Sequence, residues 1–158
     1  MRLHALVILF SMVLFSGVQA VASTQVSVKE LLYNDQLYGS RGIEGLIVLT
    51  NNDVLQELWR RLHQDDKIKA PVVDFEKNIV LAHFDGEKPS AAHSTRVSQI
   101  IDHNDHLEVI IVRKKRGGLA GMAVVKPSHL VQISEYHRVV PDGDWWETKP
   151  IRLTYKTE

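Results

Sequence analysis

The sequence predicts a mainly β domain: a single compact antiparallel sandwich or partly closed barrel with one covering helix. Three observations predict it. Short runs rich in β-branched and aromatic residues recur along the chain, separated by Gly, Pro, Asn and Asp turn signals. From Val54 to Leu62, and nowhere else so clearly, apolar residues repeat at helical spacing. Ile79, Val80, Leu81, Ala82 and Phe84 form an almost continuous apolar run, the pattern of a central strand buried on both faces.

Taken in order, Val26 to Tyr33 alternates loosely and stops at the Asn34-Asp35 turn signal, which predicts a first strand. Ile43 to Thr50, with Leu46-Ile47-Val48-Leu49 inside it, predicts a second, buried strand. Asn51, Asn52 and Asp53 offer side-chain oxygens for a helix start, and Val54, Leu55, Leu58, Trp59 and Leu62 then fall on one face. That helix ends before Pro71 and serves to cover a sheet. Asn78 to Asp85 is the central strand, after which Gly86 permits a sharp turn and Pro89 withholds a ladder donor. Extended chain resumes at His93 and runs to Ile101. The polar turn Asp102 to Asp105 then leads into Leu107 to Val112, a hairpin. Arg113 to Arg116 reads as a basic tip at the hairpin's end. Met122 to Val125, His129 to Ile133, Tyr136 to Val140 and Ile151 to Tyr155 read as further extended segments.

A chain of 158 residues supports one domain. Its first residues stand apart: Arg2 and His4 precede an apolar run from Ala5 to Phe15, and Gly17 to Ala20 supply the small residues of a signal-peptidase site. Residues 1–20 are therefore expected to be a cleaved leader, with an alternative cut at 22, and residues 24–158 the single domain. The expected location is the bacterial periplasm, with secretion the alternative. The run is too short to span a bilayer, so no membrane insertion is expected after cleavage. Nineteen basic and nineteen acidic residues balance, which leaves no broad positive field for nucleic acid or an anionic membrane. The absence of cysteine excludes disulfides, thiolate metal sites, a cysteine nucleophile and a lipid-bearing cysteine.

Leu58-Trp59 on a helix, Pro71-Val72-Val73-Asp74-Phe75, an apolar strand ending at Gly86, a loop with Pro89, and Pro127-Ser128-His129-Leu130-Val131 follow one another between about residues 45 and 133. This order resembles the C-terminal domain of the PrcB-type protease complex subunit family. The resemblance implies a small exported bacterial accessory protein that associates with a protease and is not itself an enzyme. Where the family often carries Gly-Gly-Tyr, this chain has Ala91-Ala92-His93. Alanine resists the positive φ and close approach that glycine allows, and His93 brings an imidazole ring in place of the tyrosine's.

The candidate partner-binding loop is Gly86, Glu87, Lys88, Pro89, Ser90, Ala91, Ala92 and His93, presented between two core strands. Arg113, Lys114, Lys115 and Arg116, beside Gly117, and an outward-facing Trp146 form a candidate secondary surface. His103 and His106 bracket Asn104-Asp105 and are weak candidates for metal ligands, against the plainer reading of a polar turn. No Gly-x-Ser-x-Gly, His-Glu-x-x-His or phosphate-loop motif occurs. Asp74, His83, Asp85 and His93 are the residues from which an acid–base set could be drawn, but nothing supplies a nucleophile. A noncatalytic protein-binding module with no cofactor is the expectation, and a domain that binds a small ligand or metal through its histidines is the alternative.

Overall fold

The structure is a computed structural model that describes residues 23–34, 42–65, 67–117, 123–134 and 150–158. Its elements are β1 (Thr24–Gln25), β2 (Val28–Asn34), β3 (Gly45–Leu49), α1 (Asn52–His63), β4 (Asn78–Phe84), β5 (His93–Asp102), β6 (Leu107–Lys115), β7 (Ser128–Ser134) and β8 (Ile151–Thr157). They form two four-stranded sheets, ordered β1-β5-β6-β8 and β2-β7-β4-β3. The fold is mainly β and sandwich-like, with one helix and no closed barrel among the described residues.

Alternation along β4 sets the layers. Ile79 and Leu81 point into a core between the sheets with Val97, Ile100, Val109, Ile111, Val131 and Ile133. Val80, Ala82 and Phe84 point the other way, into a second core with Leu55, Leu58, Trp59 and Leu62 of α1. The continuous apolar run of this strand thus reflects burial on both faces. The helix starts where Asn51 accepts the Val54 N–H on its side-chain oxygen at 2.8 Å. Asn52 then ties it to the chain before β4, donating to the Val73 carbonyl at 2.8 Å and accepting the Val73 N–H at 3.1 Å.

Several boundaries differ from the sequence expectation. The first expected strand, Val26 to Tyr33, is β2, which pairs with β7 from Val28; the two residues of β1 lie ahead of it and pair with β5 in the other sheet. β6 runs three residues beyond Val112, so Arg113, Lys114 and Lys115 belong to a strand and not to a basic tip. Pairing with β5 up to Lys115, and with β8 up to Arg113, holds them there. β8 lies parallel to β6, the one parallel pair among the described residues. Of the expected segment 122–125, Val125 makes an isolated bridge to Lys88. The expected leader, the expected segment 136–140 and Trp146 lie outside the described residues. No helix among the described residues is long and apolar enough to cross a membrane.

Candidate functional site

The site is built outward from the end of β4. Asp85 follows the last residue of that strand, is buried, and donates its backbone N–H to the Pro127 carbonyl at 3.0 Å. Its carboxylate collects two cations. Arg113 of β6 donates from Nε and Nη2 to Oδ1 at 2.6 and 2.5 Å, and the Lys88 Nζ lies 3.4 Å from Oδ2. The Arg113 guanidinium in turn sits 4.0 Å from the centroid of the Tyr155 ring on β8. A buried carboxylate is costly unless paired. Here the pairing fastens the central strand to the opposite sheet and to the loop that follows.

That loop is the one the sequence singled out. Gly86 has φ of 69°, a conformation that favours glycine, and a Cβ there would meet the Glu44 carboxylate at 3.0 Å. Glu87 is exposed and paired at 2.7 Å with Nζ of Lys126, which is itself buried. Lys88 exchanges two backbone hydrogen bonds with Val125, at 2.8 and 3.0 Å. Pro89 is exposed. Ser90 closes a turn: its Oγ accepts the Ala92 N–H at 3.2 Å, and its carbonyl accepts both the His93 N–H at 3.3 Å and the His93 Nδ1–H at 3.2 Å. Ala91 and His93 are half-buried. Ala92 is only 5 % exposed and its carbonyl accepts the Arg116 N–H, which makes it a structural residue and not a contact. The surface on offer is therefore Gly86 to Ala91 with the His93 ring.

The other candidates are placed as follows. Arg113 is turned inward to Asp85, Lys114 is paired with Glu158, and Lys115 and Arg116 are exposed. Trp146 is outside the described residues. His103 and His106 stack with ring centroids 4.4 Å apart, and each is committed to its own carboxylate: His103 Nε2 to Glu108 at 3.2 Å and His106 Nδ1 to Asp105 at 2.7 Å. These bonds hold the Asp105 carboxyl below its ordinary range, and the Glu108 carboxyl too, where Thr154 contributes first and His103 second. Among the described residues no three or more His, Cys, Asp or Glu side chains are grouped to hold a metal.

Each of the four acid–base candidates is engaged by partners of its own, His93 by Ser90 as described above. Asp74 is exposed, caps its own turn through the Glu76 N–H at 3.2 Å and pairs with Lys77. Asp85 is saturated by its cations. His83 does not reach the start of β5 at His93; it meets Thr95 Oγ1 at 3.3 Å, and its strand neighbour in β7 is His129.

His129 is the residue that sequence reasoning left inside a motif without a role. Its Nδ1 accepts the Val97 N–H from the opposite sheet at 2.9 Å, so its Nε2 carries the proton and donates to Glu30 at 2.9 Å. Burial pushes the His83 imidazole down to about 4, against the pull of Asp85. Burial also lowers His129, against the hydrogen bond and charge of Glu30. Both are neutral links between sheets. The available signal was phase: His83 and His129 stand two residues from Leu81 and Val131 and so share the strand face that looks into the inter-sheet core.

Comparison of the chain with protein-family models, with curated proteins and with solved structures found no match in any of the three.

Proposed function

We propose that this chain is a noncatalytic, exported protein-binding module that docks its partner on residues 86–93. The resemblance to the PrcB-type family suggests an exported protease, or a complex containing one, as the partner and the periplasm as the compartment. The observation that supports the reading is the way the loop is held. Lys88 is fixed to buried Asp85 and to Val125, Glu87 to buried Lys126, and Ser90 to Ala92 and His93. A loop ordered before its partner arrives loses little conformational freedom on binding, and affinity gains accordingly. The exposed Glu87 and Pro89 stand at its crest.

A second reading, small-ligand binding, is favoured by a groove of about 300 Å³ between the sheets whose lining includes Glu30, Arg96 and His129. Capture of partners by the full chain from its own exported fraction separates the two. The loop reading expects a protease-containing fraction to bind, to be lost with the Pro89→Gly, His93→Ala variant, and to survive a chelator. Unchanged capture by that variant, at unchanged stability, contradicts it.

A further inference from the structure

We infer that the outer edge of β3 takes an extended segment of the partner as an added strand, uncharged along its middle and carrying a lysine or arginine at each end. This rests on the protein-binding reading above and deepens it.

Among the described residues four strands lie at sheet edges, and three of them carry features that discourage further pairing. β1 is two residues long. β2 holds Lys29 and Glu30 and a break in register between Glu30 and Leu32. β8 holds exposed Arg152 and Lys156. β3, Gly-Leu-Ile-Val-Leu, has no charge, proline or bulge, and its register with β4 is unbroken from Gly45 to Leu49. Among the described residues only β4 pairs with it.

Both faces of this edge are apolar. Leu46 and Val48 pack against the core between the sheets and Ile47 against the core under α1, and all three remain partly exposed. An added strand would thus find apolar neighbours for side chains on either face. Its backbone would supply affinity and its alternating side chains specificity.

Charge selects the ends. Glu44 precedes β3 and Asp53 lies in the first turn of α1; both are exposed, and neither is in an ion pair among the described residues. Glu44 also lines a hollow of about 260 Å³ with Gly86, Glu87 and Lys126, where two carboxylates face one ammonium group. The exposed Glu44 carboxylate is the charge that a cation arriving there meets. Because Gly86 and Glu87 belong to both the hollow and the docking loop, the edge and the loop form one continuous surface. A second copy of this chain fits poorly, since antiparallel pairing of two β3 strands would bring acidic flanks together.

The test is titration of the full chain with the capped peptide Lys-Val-Thr-Val-Thr-Val-Lys, followed through the backbone amides of residues 45–49. The expected result is a shift of those amides, with affinity falling about tenfold in Glu44→Lys, less in Glu44→Gln, and vanishing when alternate peptide nitrogens are methylated. The proposal is overturned by equal affinity for a glutamate-flanked peptide, by indifference to methylation, by no binding, or by a sedimenting dimer that uses β3. The Pro89→Gly, His93→Ala chain separates this proposal from the reading beneath it. If the peptide fails to bind while partner capture depends on the loop, only the edge is overturned. If the peptide binds as expected while capture ignores the loop, the loop reading falls and the edge stands.

Discussion

Protonation of His129 meets a specific obstacle: its Nδ1 already accepts the Val97 N–H, so an added proton would set donor against donor between the sheets. His83, beside it in β7's neighbour strand, is wholly buried and held at about 4 by desolvation. The sign follows from linkage. Each folded value lies below the free imidazole value of 6.5, so the unfolded chain takes up protons first, and stability is full above that value and declines as pH falls towards 4. For His83 the loss is up to about 3 kcal/mol. Urea unfolding at a series of pH values is expected to show this decline, and His83→Gln, which cannot titrate, is expected to flatten it. A second prediction concerns Asp85. Replacement by Ala leaves the Arg113 guanidinium and Lys88 without their shared anion and is expected to cost about 3 kcal/mol, measured by the same unfolding. Gly86→Ala is expected to cost about 1–2 kcal/mol, because its φ of 69° strains any residue with a Cβ. The nearby Glu44 carboxylate can swing aside, so backbone strain and not the clash sets that magnitude.

Among elements, α1 and β4 were the most legible in the sequence, and for the same reason: each is decided by its own side chains. Apolar residues at helical spacing between an asparagine cap and a polar end leave little choice, and Leu55, Leu58, Trp59 and Leu62 are indeed the buried face. Strand ends are decided elsewhere. Nothing local told Lys114 and Lys115 to be extended; β5 opposite them did. Likewise Ser98 falls at a register shift in β5, after which the inward positions change phase from Thr95 and Val97 to Ile100, so simple alternation misreads that strand. β1 lay outside the expected first strand because Thr24-Gln25 is too short to show alternation, and the change of sheet before Val28 leaves no local mark. Asn51→Ala is expected to cost about 1 kcal/mol through the lost cap. Trp59→Ala is expected to cost about 3–5 kcal/mol through the cavity left under the sheet. Thermal or chemical unfolding of the two variants checks the order of these effects.

At the scale of the whole molecule, the sandwich supplies the frame and the loop 86–93 is fastened to it at Lys88 and Glu87. The sequence marked where that loop lies, since Gly86 and Pro89 are punctuation visible without a structure. It could not show what holds the loop, because the fastening groups are distant in the chain: Arg113 is on β6, and Val125 and Lys126 lie just ahead of β7. The central claim is that this fastened loop is the surface a partner protein covers. The most direct measurement is amide hydrogen exchange along the full chain, alone and with the captured partner bound. Added protection is expected to concentrate in residues 86–93. Protection gained elsewhere, with exchange in that loop unchanged by the partner, would contradict it.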